Sequence, residues 1–191
     1  MTSSICVFCG SSRGDDPVYA EVATELGSAI ARGRHRLVYG GGNVGLMGAV
    51  AGAALALGGD VTGVITDALV RAEVAHDDLS ELEVTASMHE RKALMAAHSD
   101  AAIVLPGGFG TLDEVFELLT WNQLGLVSMP VVFLDVNGFF DALFHFVDHA
   151  IDQGFVPADH RLLANRAGSV DEALRLALAA PADVGPKWLD R

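Results

Sequence analysis

"AAIVLPGGFGTLDEVFELLTWNQLG", residues 101–125, decides the fold. Its first six residues form a continuous apolar run of strand length, the pattern of a strand buried on both faces of a parallel sheet. Residues 111–125 carry an amphipathic helical pattern that ends at a glycine. Between them Gly107, Gly108 and Gly110 let backbone N–H groups converge without side chains in the way. A buried strand, a glycine loop and a helix N-terminus together make a site suited to an anion.

The same alternation runs outward in both directions. Upstream, "SICVFCG" (4–10) reads as the first strand, with a polar loop at 11–16. Pro17 opens a helix to about residue 31, because proline suits a first helical turn. "HRLVYG" (35–40) is the second strand, and "VGLMGAVAGAALAL" (44–57) a small-residue helix. "DVTGVI" (60–65) is the third strand, and residues 66–80 read as a long loop. "LEVTA" (82–86) is a short strand and "MHERKALMAAHS" (88–99) a helix. Downstream, "PVVFLD" (130–135) is a buried strand and 138–154 a helix. A weak strand near "RLLAN" (161–165), a helix over about 170–179 and an irregular tail over about 181–191 complete the reading.

Repeated strand–helix alternation with apolar strands implies an α/β fold. It is a Rossmann-like, doubly wound parallel sheet with helices on both faces. No internal repeat or linker interrupts residues 1–191, so a single domain is expected. Ligands of such folds bind beyond the carboxyl ends of the strands. Three small-residue loops fall there, "CGSSRG", "YGGGNVG" and "LPGGFGT". Ser11, Gly41, Gly42, Gly107, Gly108, Gly110 and Thr111 are their candidate substrate-binding residues.

Gly40, Gly42 and Gly45 match the spacing G-x-G-x-x-G of dinucleotide sites. The match sits after the second strand rather than the first, and Asp67 is the available acid for a ribose. Thr111 and Glu114, three apart, also fit a capping box. Residue chemistry alone leaves cap and catalyst open. Arg91 and Lys92 lie side by side in a chain whose only other lysine is Lys187, so the pair invites a ligand reading.

Bulk composition narrows the partners. With 51% apolar and 19% charged residues the chain is globular. A net charge of −13 excludes the broad basic face that nucleic acid or an anionic membrane requires. No apolar run reaches spanning length and no secretory leader is evident, so a cytoplasmic location is expected. Cys6 and Cys9 stand three apart on a strand, hence on opposite faces, as two structural thiols rather than a redox pair. His145 and His149 fall on the polar side of their helix, as a solvated face rather than a metal site.

Taken together, "ICVFCGSS", "YGGGNVGLMG", "MHERK", "PGGFGTLDE" and "WNQLG" resemble the Lonely Guy (LOG) family of cytokinin-activating phosphoribohydrolases. The combination of "PGGxGTxxE" with an upstream "RK" is its specific mark. The resemblance implies a Rossmann-type homodimer that hydrolyses the N-glycosidic bond of nucleoside 5′-monophosphates. The substrates would be AMP or N6-prenyl-AMP, with no cofactor and no metal. It makes Arg91 and Glu114 the catalytic pair. It gives the phosphate to Gly107, Gly108, Gly110 and Thr111, and supporting substrate contacts to Lys92 and Glu73. Rival readings are a non-catalytic AMP-binding module, a pyridoxal-phosphate lysine decarboxylase that would have to use Lys92, and a dinucleotide oxidoreductase.

Overall fold

In a computed structural model describing residues 2–70, 76 and 78–185, seven strands form one parallel sheet. The elements follow in chain order. The first half holds β1 (Ser4–Phe8), α1 (Val18–Arg32), β2 (Arg36–Tyr39), α2 (Gly45–Ala56), β3 (Val61–Thr66), α3 (Asp67–Val70), β4 (Glu81–Thr85) and α4 (Met88–Ala97). The second holds β5 (Ala101–Val104), α5 (Phe109–Gln123), β6 (Val131–Leu134), α6 (Asp141–Asp152), a 3-10 helix (Ala158–Leu163), β7 (Asn165–Ala167) and α7 (Val170–Ala177).

The strand order β4-β3-β2-β1-β5-β6-β7 reverses at β1, which pairs with β2 on one side and β5 on the other. This is the switch point at which doubly wound sheets open a crevice. Alternation along β1 divides the core. Ile5 and Val7, with Cys9 just beyond the strand, pack against α1, α2 and α7, while Cys6 and Phe8 face α4, α5 and α6. The two thiols therefore lie in different layers, and both are free and buried.

Close packing of α1 on α2 rests on Gly27. A Cβ there would stand 2.1 Å from the Val50 carbonyl oxygen. The start of α2 docks on the loop after β1, where Leu46 N–H donates to Gly10 O at 3.0 Å. Gly45, at φ +60°, occupies the left-handed region and lies against the Ser11 backbone.

Three expectations are corrected. Residues 66–70 are not loop: Thr66 completes β3 and Asp67–Val70 form a helical turn, while the rest of that expected loop lies largely outside the described residues. The expected strand over 161–165 is helical through Leu163, because Pro157 leads directly into a 3-10 turn; the strand begins at Asn165. Third, α5 starts at Phe109, before Thr111, with Gly108 as its cap. Thr111 is thus the third helical residue and not a cap, so no Thr111–Glu114 capping box forms. Beyond α7 the chain is irregular through residue 185, where His160 Nε2 meets Gly185 O at 3.0 Å.

Candidate active site

At the switch point, the ends of β1, β2 and β5 surround a cleft of about 190 Å³. Its wall includes Ser11, Gly40, Gly108, Gly110 and Thr111, with Arg91 and Glu114 facing each other. Each has a local reason to be there.

Arg91 comes from the second turn of α4. Ser87 caps that helix by accepting from Glu90 N–H, and Glu90 returns to accept from Ala86 N–H. The helix start is thereby fixed, and the Arg91 side chain runs back across the ends of two strands. Its Nε donates to Val64 O at 2.9 Å, and Nη2 to Gly40 O at 3.0 Å. Nη1 stands 3.3 Å from Glu114 Oε1. The guanidinium is 6% exposed and the carboxylate 11%, so the pair is largely withdrawn from water. Such a fork holds one orientation, which a lysine could not reproduce.

Gly40 explains part of the G-x-G-x-x-G pattern. A Cβ there would lie 2.1 Å from Arg91 Nη2. The space a side chain would fill is occupied by the arginine itself. Gly41, at φ +77°, is buried against Ile65, and Gly42 is buried as well. Neither forms part of the wall beside Arg91 and Glu114. Asp67, at the start of α3, is exposed.

The glycine loop after β5 divides into two roles. At Gly107 a Cβ would meet Thr111 Oγ1 at 2.1 Å and Gly10 N at 2.9 Å, so this residue is needed for the loop to close. At Gly108 and Gly110 a Cβ would meet nothing within 4 Å. These two leave open the approach to the first-turn amides of α5, which have no acceptor within the helix. Amides at a helix start, combined with the macrodipole, form an anion cradle. Gly107 lines a neighbouring, more apolar hollow of about 280 Å³. Tyr19 and Phe139 meet edge to face across it at 5.9 Å.

Lys92 points elsewhere. Its Nζ lies 2.9 Å from both Asp113 Oδ2 and Glu117 Oε2 on α5, and its side chain is 9% exposed. Burial alone would lower its pKa, but hydrogen bonds to Glu117 and Asp113 outweigh that and raise it. A lysine held charged in this way is unsuited to an imine with pyridoxal phosphate. Glu73 lies outside the described residues. His145 and His149 are exposed, and among the described residues no cluster of three or more His, Cys, Asp or Glu side chains could hold a metal. Among the same residues no helix is long and apolar enough to cross a membrane.

Reading the sequence did not single out several cleft residues, Cys9 and Met47 among them. Burial, and after it the Glu114 carboxylate, push the Cys9 thiol well above its ordinary pKa, so it is a neutral wall and not a nucleophile. The alternation that placed Cys9 opposite Cys6 was the available signal. Nothing local in the sequence marked Met47.

Comparison with known proteins places the chain in a family. A family model described as "Possible lysine decarboxylase" matches residues 47–177. A "Probable cytokinin riboside 5'-monophosphate phosphoribohydrolase" of Oryza sativa subsp. japonica is 50% identical over 159 residues, covering 83% of this chain and 70% of the relative. A cytokinin riboside 5'-monophosphate phosphoribohydrolase of Arabidopsis thaliana is 46% identical over 171 residues, covering 90% and 79%. Among solved structures, the molybdenum cofactor binding protein of Rippkaea orientalis superposes with a TM-score of 0.69 at 24% identity, over 92% of this chain and 95% of that one. At that identity the likeness concerns the fold. The relatives' identity and coverage carry the family assignment: the chain belongs to the Lonely Guy family, to which the cytokinin riboside 5'-monophosphate phosphoribohydrolases belong.

Proposed function

We infer that the protein is a phosphoribohydrolase. It hydrolyses the N-glycosidic bond of adenosine 5′-monophosphates, N6-modified or plain, to a free adenine-type base and ribose 5-phosphate. The family supports the reaction. The observation that carries it onto these residues is the buried Arg91–Glu114 pair beside the open amides of α5.

The 5′-phosphate binds the first-turn amides at Gly110 and Thr111, reached past Gly108, with Ser11 on the facing loop. Holding the phosphate places the sugar, so binding energy distant from the reacting bond is used at C1′. As the C–N bond lengthens, positive charge develops on the ribose, and the Glu114 carboxylate stabilises it. Glu114 also takes a proton from the attacking water. The water oxygen bonds to C1′, and the base leaves with the electron pair of the broken bond and gains a proton. Arg91 fixes the orientation of Glu114 and keeps its charge compensated. Gly41 and Gly42 support the β2 end of the site from behind, and the family resemblance assigns a further substrate role to Glu73. No resident cofactor or metal is required by these steps.

The protein acts as a single-domain subunit of a cytoplasmic homodimer in this reading. Exposed Met88 on α4 and exposed Phe109 and Phe116 on α5 support a covering partner copy. Sedimentation velocity tests that point.

A chromatographic time course with AMP and isopentenyladenosine monophosphate tests the activity, with Glu114→Gln run in parallel. Release of base and ribose 5-phosphate by the parent chain, lost in the variant, is the expected result. Binding of both nucleotides without cleavage by the parent chain would replace the enzyme reading with a nucleotide-binding module.

A further inference from the structure

We propose that Lys92 is a positioning residue, bridging Asp113 and Glu117 so that α5 is held in the rotation that turns Glu114 toward Arg91. The role rests on the assignment of Glu114 and Arg91 as the reacting pair. It differs from a substrate contact, which the "RK" pair suggests at first sight.

Three observations carry it. The ammonium is buried, and it meets the two carboxylates at equal distances of 2.9 Å. Asp113 and Glu117 are one helical turn apart, so they share a face of α5, and Glu114 follows directly after the first of them. Two consecutive residues of α4 therefore grip three neighbouring acids of α5: Lys92 holds Asp113 and Glu117, and Arg91 meets Glu114. Arg91 is itself fixed by the carbonyls of Val64 and Gly40. The helix that offers Glu114 must then be fixed relative to the sheet, and the Lys92 bridge ties α5 to α4 at Asp113, the residue directly before that carboxylate, and at Glu117. A cation committed to two carboxylates is also poorly disposed to bind a phosphate, because its charge is already compensated. Rotating α5 by even a fraction of a turn would move Glu114 by an ångström or more. Misplacement on that scale costs about 10²-fold in rate.

The test uses the full chain and steady-state AMP hydrolysis. The variants are Lys92→Met, Lys92→Arg, Asp113→Asn with Glu117→Gln, and the triple combination, with Glu114→Gln as reference. A positioning role predicts a kcat lower by about 10²-fold in Lys92→Met with KM little changed. Lys92→Arg restores most of the rate. The triple variant is no slower than Lys92→Met, because all three substitutions remove one interaction. If Lys92→Met misfolds around its unpaired acids, the triple variant, which leaves no unpaired charge, must still show the reduced kcat. A raised KM at unchanged kcat in Lys92→Met, or full kcat in the Asp113–Glu117 variant, would overturn the proposal and return Lys92 to the substrate. Full activity in Glu114→Gln would be a separate failure, removing the catalytic assignment itself and the positioning role with it.

Discussion

Arg91 reaches Glu114 at 3.3 Å with its other nitrogens already anchored, Nε on Val64 O and Nη2 on Gly40 O. The carboxylate is therefore presented by a fork that cannot swing. Three acceptors, from β3, the end of β2 and α5, depend on one buried cation.

Replacing that cation should damage stability and chemistry together. Arg91→Met leaves two carbonyls and a nearly buried carboxylate to be satisfied afresh. Removing one partner of a buried pair costs about 3–5 kcal/mol. Urea unfolding should show a loss of that order, and AMP cleavage should be abolished. Glu114→Gln keeps the shape and a hydrogen-bond acceptor for Arg91. It should fold nearly as well as the parent while kcat falls about 10²–10⁴-fold. A stable, active Arg91→Met protein would contradict the assignment.

The buried thiols give the protein an alkaline limit. Burial raises both above the ordinary value of 9.0, followed by the Glu114 carboxylate; for Cys6, Ser99 and Arg91 oppose the rise and Cys9 adds to it. The unfolded chain therefore loses its thiol protons first as pH climbs. Above the ordinary thiol value the unfolded state binds fewer protons than the native state, so stability falls with rising pH. Tyr39, also raised by burial, extends the decline at higher pH. So does Lys92, whose raised pKa gives stability that is complete below its ordinary value of 10.5 and lost above it. Denaturation midpoints measured from pH 7 to pH 11 should be level up to about pH 8.5 and then drop. Cys6→Ala with Cys9→Ala should delay the onset. An onset unchanged in that double variant would refute the account.

Much of this was legible in the chain. Strand and helix alternated in the sequence as they do in space, because the inner strands β1, β2, β3, β5 and β6 bury both faces and the long helices flank them. The opposed faces of Cys6 and Cys9 followed from a two-residue period alone. The start of α5 was not legible. Thr111 has the chemistry of a cap, yet the backbone at Gly108 caps the helix without any side chain. The docking of Gly107 against Gly10 and Thr111, a contact between distant parts of the chain, goes with that start. For the same reason Gly40 looked like part of a dinucleotide loop. Its purpose, room for Arg91, becomes visible once α4 packs on β3 and β4 and sends the Arg91 side chain to Gly40 at the end of β2. Lys92 was noticed for its rarity, but its partners lie on another helix and no local pattern names them.

Close approach of α1 and α2 depends on a glycine far from the chemistry. Gly27→Ala would place a methyl 2.1 Å from the Val50 carbonyl oxygen, a backbone atom that cannot turn aside. Overpacking of this kind costs about 1–3 kcal/mol. The melting temperature should fall, while the KM for AMP in the folded fraction stays at the parent value, since the cleft is built on other contacts. An unshifted melting temperature would mean that the two helices separate more easily than their packing indicates.

The glycines of "PGGFGT" should separate structural from ligand roles. Gly107→Ala drives a methyl into Thr111 Oγ1 and toward Gly10 N, so the loop cannot close and stability should drop. Gly108→Ala and Gly110→Ala meet no protein atom. Gly110 is helical, and alanine there should even stabilise by up to about 1 kcal/mol. Their methyl groups project instead into the space proposed for the phosphate. Both variants should melt at or above the parent temperature yet show a raised KM for AMP. Inorganic phosphate should likewise inhibit them less than it inhibits the parent. Ribose 5-phosphate, the product that keeps the anion, should lose affinity in parallel. If Gly108→Ala and Gly110→Ala bind AMP as tightly as the parent, the phosphate does not sit at the start of α5, and the cradle must lie elsewhere among the loops at the switch point.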